Sequence, residues 1–190
     1  MQLGRRSGHA TLLAVGVSLS VLLSACGTAH PSAGSRSRAS ATTSSISTTP
    51  PTSSTSADTA AVLAAYRAGW KAFEQALATA NPEDPALAAT MVDPQLQGEK
   101  ANLLADQRQG MVGRGTFTLH PKIVSISATT ATVVDCAYST AELVYARTGK
   151  PVPPVTPPEN DGVRSTLVLT GGTWKVYKQA VTDGSCAPGS

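Results

Sequence analysis

Several residue types needed for common chemistries are scarce. Histidine occurs three times in 190 residues, and only His120 lies beyond residue 57. Cysteine also occurs three times, and no His, Cys, Asp or Glu cluster has metal-ligand spacing. A metal centre and a metal cofactor are therefore not expected. There is no Gly-x-Ser-x-Gly elbow and no phosphate-cradling glycine loop, so nothing points to an α/β-hydrolase or a nucleotide cofactor. Basic runs are missing too. Between Asp58 and Asp183 eleven Lys and Arg stand against twelve Asp and Glu, alternating in sign. That leaves no electrostatic footprint for nucleic acid.

What is present begins with a leader. Arg5 and Arg6 precede an uncharged stretch from Ala10 to Ala25, rich in Leu and Val. It is shorter than the ~20 apolar residues of a membrane span and ends in small side chains, the pattern of a signal peptide. Leu23-Ser24-Ala25-Cys26 resembles the lipobox of bacterial lipoproteins. The resemblance implies removal of residues 1–25 and a diacylglycerol on Cys26, leaving the chain anchored on the extracytoplasmic face of the cell membrane.

With Cys26 lipidated, Cys136 and Cys186 are left as a pair in an oxidising compartment, where a disulfide is expected. From Gly27 to Ala57 nearly every residue is Ser, Thr, Ala, Pro or Gly. Such a segment cannot offset its ordering entropy, so residues 26–57 read as a lipidated cysteine with a flexible tether reaching roughly 30 Å.

Residues 58–190 read as one domain. Val62, Tyr66, Trp70, Phe73 and Leu77 draw one apolar stripe on a long Ala-rich helix that ends at Asn81-Pro82. Asp84-Pro85 and Asp93-Pro94 each open a further helix, the second reaching about Gln109 with Leu96, Leu103, Leu104 and Met111 on its buried side. After Gly110 the period falls to two. Strands are expected over 116–127 with a break at His120-Pro121, over 131–144 with a break after Ser139, and in a hairpin of 163–170 and 173–181 across Gly171-Gly172. In the last strand Trp174, Val176 and Lys178 are placed on one face, and Lys175, Tyr177 and Gln179 on the other. A proline-rich loop spans 146–162. Three N-terminal helices on a curved antiparallel sheet of about four strands make an α+β domain.

The first helix with Tyr66 and Trp70, the Asp135-Cys136 pair, and Gly172-x-Trp174-Lys175-Val176 with Cys186 behind it are similar to secreted actinobacterial lipoproteins. The resemblance implies the cone of the nuclear transport factor 2-like superfamily. That fold serves enzymes, binders and interaction domains alike, so it assigns no activity. A second acid expected two residues after Cys136 is replaced by Tyr138.

No catalytic constellation stands out. Asp135 shares a strand face with Val133 and Ala137, and a desolvated carboxylate there could serve as a general base. It has no neighbouring acid or histidine, so the reading adopted is structural: it reaches solvent or accepts hydrogen bonds near Cys136. Tyr66, Trp70, Tyr138 and Tyr177 are pocket candidates, and His120 is read as structural. Three functions follow: a non-catalytic module binding an envelope protein, a binder of an apolar small molecule or lipid, and an enzyme acting through Asp135. An enclosed apolar cavity would favour the second and a filled cone the first.

Overall fold

The computed structural model describes residues 56–155 and 157–187. The signal peptide, Cys26 and the tether up to residue 55 lie outside the described residues. Among those described, no helix is long and apolar enough to cross a membrane.

The fold is the expected α+β arrangement. Helix α1 (Ser56–Thr79) buries Val62, Tyr66, Trp70, Phe73 and Leu77, the stripe read from spacing. It ends where Ala80 takes a positive φ of 48° and the Asn81 amide reaches back to the Ala76 carbonyl at 2.9 Å, closing the last turn. Helix α2 (Pro85–Thr90) is capped by Asp84, whose side chain accepts from the Ala86 amide.

Helix α3 (Gln95–Arg108) departs from expectation at both its start and its buried side. Its N-cap is Pro94, with no side-chain cap, rather than Asp93. The buried positions are Gln95, Glu99, Leu103 and Asp106, while Leu104 is only half-buried. A helix laid against a strand edge must meet main-chain donors, and polar side chains satisfy these better than leucines.

Seven strands follow: β1 (Met111–Arg114), β2 (Phe117–Thr118), β3 (Lys122–Ile126), β4 (Thr130–Ser139), β5 (Glu142–Tyr145), β6 (Glu159–Thr170) and β7 (Thr173–Ser185). β2-β4-β6-β7 form the main antiparallel path, with β3 also on β4. β1 and β5 pair separately; β5 follows the expected break after Ser139, while β1 lies outside the expected strands, because a four-residue strand carries too few alternations to stand out. β6 starts at Glu159, so the proline-rich loop is shorter than expected. The loop is also tied to β5 by Val152 N to Leu143 O and Tyr145 N to Lys150 O, both 2.9 Å.

The main sheet packs Val133, Ala137, Val163, Leu167 and Val176 onto the α1 stripe. α1 can approach β7 closely because residue 69 is glycine: a Cβ there would meet Val176 Cγ2 at 2.9 Å. A bulge between Thr166 and Leu167 shifts the β7 register, so Lys178 pairs with Thr166 and Gln179 with buried Ser165. The face assignment of the last strand is corrected accordingly. Past Val176 the extra residue turns Gln179 inward and leaves Lys178 exposed.

Candidate functional site

The polar centre of the domain is built around Asp135, from the middle of β4. Two separate short strands lie along one side of β4. β2 pairs with its end, Phe117 opposite Ser139, and β3 with its start, Lys122 opposite Val134. Between them, at His120-Pro121, the ladder is broken because proline offers no donor. The Asp135 side chain fills this gap. Its Oδ1 accepts the His120 amide at 2.7 Å, while the Cys136 carbonyl lies 3.1 Å from His120 Nδ1. A carbonyl only accepts, so Nδ1 carries the proton. Main-chain and side-chain partners are thus exchanged across the interruption.

The other carboxylate oxygen, Oδ2, accepts the Tyr66 hydroxyl at 3.0 Å. Tyr66 is wholly buried and Asp135 is 7 % exposed. Burial pushes the Asp135 carboxyl above its usual range, and the His120 amide and Tyr66 hydroxyl pull it part of the way back. Burial, followed by the Asp135 charge, drives the Tyr66 hydroxyl far above its ordinary value. Tyr66 keeps its proton and donates it to the Asp135 carboxylate. A carboxylate with both oxygens engaged by fixed donors and a filled core in front of it is a clamp, not an accessible base.

Trp70 packs over this clamp, with ring centroids 6.4 Å from Tyr66 and 4.5 Å from Phe117. Its Nε1 is buried without a hydrogen bond. A second buried polar path runs alongside. Ser165 Oγ donates to Gln179 Oε1 at 3.0 Å, the Gln179 amide donates to Gln95 Oε1 at 2.7 Å, and Gln95 Nε2 donates to Glu99 Oε1 at 2.7 Å. This path joins α3 to β7, and it was missed in the sequence because glutamines carry no apolar period. The Asp135 network did leave a signal: an inward acid opposite a His-Pro strand break.

Cys136 and Cys186 form a disulfide, with Cα atoms 5.7 Å apart. Gly162 of β6 pairs with Cys136, so the chain after β7 crosses over β6 to reach β4. Two strand spacings amount to about 10 Å, and 5.7 Å therefore requires that crossing. The bridge lines a shallow hollow of about 200 Å³ with Val134, Asp135, Gly162, Val163, Arg164 and Thr182.

Of the four pocket candidates, Tyr66 and Trp70 stand in the core. Tyr138, at 38 % exposure, and Tyr177, at 41 %, stand on the surface, so the four do not converge on a common cavity. Physically, Tyr138 is two residues beyond Cys136 on the outward face of β4, and Tyr177 sits at the β7 bulge. Among the described residues, no group of three or more His, Cys, Asp or Glu could hold a metal.

No protein-family model matches the chain, and no curated protein matches it. Among solved structures, the intermembrane space region of the chloroplast protein ARC6 is similar with a TM-score of 0.50 at 17 % identity, over 62 % of this chain and 91 % of that one. A protein of unknown function with a cystatin-like fold from Nostoc punctiforme aligns with a TM-score of 0.40 at 13 % identity, over 67 % of this chain and 91 % of its own. An uncharacterised cystatin-like protein from Caulobacter vibrioides aligns at 0.40 and 16 %, over 64 % and 90 %. At such identities the likeness concerns fold alone.

Proposed function

We propose that the chain is a lipid-anchored, extracytoplasmic domain of the actinobacterial lipoprotein kind that acts as a non-catalytic interaction module at the cell envelope. The observation that carries this reading is the closed centre. Both Asp135 oxygens are taken by Tyr66 and His120, and the space in front of them is filled by the aromatic rings of α1 and β2. The anchor rests on Leu23-Ser24-Ala25-Cys26.

Two measurements test it. Protein from host membranes should carry a diacylglycerol mass on Cys26, and Cys26→Ala should release it or stall its precursor. In a strain lacking the gene, Asp135→Asn should restore any envelope phenotype of the deletion as well as wild type does. A soluble unmodified chain defeats the anchor, and a folded Asp135→Asn protein that fails to complement defeats the non-catalytic reading.

A second reading, a small-molecule binder, is supported by the unbonded Trp70 Nε1 among aromatic rings. A ligand with one hydrogen-bond acceptor would find a donor there once the rings part to admit it. Saturable binding that shifts Trp fluorescence, and that Trp70→Phe abolishes, would favour it.

A further inference from the structure

The proline-rich stretch between β5 and β6 is pinned at both ends. At the first, Tyr145 N donates to Lys150 O and Val152 N to Leu143 O, with Val144 opposite Pro151. At the second, Glu159 is in register with Ser139 of β4. Between the pins Pro153, Pro154, Val155, Pro157 and Pro158 are all exposed, Val155 at 59 %. Four of these five have φ fixed by a ring and carry no N–H. The neighbouring amides are turned back on the chain, Val152 to the Leu143 carbonyl at 2.9 Å and Lys150 to the Thr148 hydroxyl at 3.3 Å. The loop therefore shows solvent apolar rings and carbonyl acceptors. At its foot stand three further exposed side chains: Tyr145, Lys150 across from it, and Arg147 in the turn between them. No acid occurs between Glu142 and Glu159, so this end of the loop is cationic.

We propose that this loop docks in a groove of an envelope protein, lined by tryptophan or tyrosine and edged by carboxylates. The proposal rests on the interaction-module reading and names where on the domain the partner is held. Each feature of the loop selects one feature of the groove. Flat aromatic rings cover pyrrolidine rings with a large apolar contact, and an indole N–H or phenolic O–H supplies the donor that the loop carbonyls need. Carboxylates complement Lys150 and Arg147. The hydrocarbon of a bilayer fails the second requirement, because it offers the carbonyls no donor. Pinned ends and fixed φ values leave the loop little freedom to lose on binding, so a contact of this small size can still hold.

The test uses the full chain in host membranes, carrying a benzophenone photo-cross-linker at position 155 or, as control, at position 71, an exposed site on α1. The protein captured from position 155 is identified by mass spectrometry, purified and titrated with the detergent-solubilised chain. The expected result is an adduct from position 155, joined beside a tryptophan or tyrosine of the partner, with only background from position 71. Pro153→Ala combined with Pro154→Ala should weaken binding about ten-fold at an unaltered melting temperature. Lys150→Gln should weaken it about five-fold and reduce its dependence on salt. An adduct joined away from any aromatic residue, or binding indifferent to the proline changes, overturns the groove. Adducts to lipid or to a second copy of this chain overturn the partner. Equal capture from both positions, or capture from position 71 alone, overturns the loop and leaves an interaction module standing. Capture at neither overturns the loop, while the non-catalytic reading stands or falls separately on the Asp135→Asn complementation.

Discussion

The Tyr66 hydroxyl donates to Asp135 Oδ2 at 3.0 Å across 69 residues of sequence, fastening the first helix to the central strand inside the core. A polar pair there costs desolvation on both sides, and it persists because the carboxylate also takes the His120 amide that the strand break leaves unpaired.

Removing either partner leaves the other buried and unsatisfied. Tyr66→Phe should lower stability by about 1–3 kcal/mol, and Asp135→Asn by about 1–2 kcal/mol. Because the two share one bond, the double variant should lose less than the sum of the single losses. Urea denaturation of the four proteins measures this. Strict additivity would show that the bond contributes nothing.

The sign of the pH dependence follows from the direction of the Asp135 shift. Its folded-state carboxyl is raised above the ordinary 3.8, so the folded state holds a proton that the unfolded chain has released. The stabilisation from that proton is fully present below the unfolded value and is lost as pH rises through the folded one. Asp161 shifts the same way, through burial and then Glu159. Wild type should therefore gain on Asp135→Asn as pH falls from neutral toward 4, within the pH range where both remain folded. Denaturation midpoints at stepped pH check it. A wild type that loses ground to the variant on acidification would mean that the carboxyl is depressed.

The Cys136–Cys186 bridge closes a loop of 50 residues. In the chain-entropy account such a loop is worth about 4 kcal/mol, or roughly 15 °C in melting temperature for a domain of this size. Calorimetry with and without reductant, and on Cys186→Ser, should give matching drops. A fall of only a degree or two would mean that the crossing over Gly162 holds without the bond.

Gly69→Ala sets helix propensity against packing. Alanine is the better helix former by about 1 kcal/mol, yet its Cβ would lie 2.9 Å from Val176 Cγ2. Overpacking typically costs about 1–3 kcal/mol. The variant should come out destabilised, with thermal melts as the measure. A rise in melting temperature would show that β7 can retreat from α1.

The local elements were legible in the residues because their causes are local. Spacing of three and four from Val62 to Leu77 could only be a helix with that stripe inside, and Asp84-Pro85 opens α2 where a cap and a fixed φ coincide. The odd cysteine count left Cys136 and Cys186 as partners. The strand break at His120-Pro121 follows from a missing N–H. Other features depend on what lies across the gap from a residue. Nothing within β7 announces that one extra residue at its bulge would bring Gln179, not Lys178, to the interior. That is decided by Ser165 on one side, whose hydroxyl donates to the Gln179 side chain, and by Gln95 on the other, which accepts the main-chain amide of residue 179. On α3 Gln95 and Glu99 are buried and Leu104 only partly so, because Gln95 meets the Gln179 amide of the facing strand and Glu99 accepts from Gln95 in turn. Alternation could turn Asp135 inward, but only the packed α1 could supply the hydroxyl that makes a buried carboxylate tolerable, and a partner 69 residues away leaves no mark in the sequence around either residue.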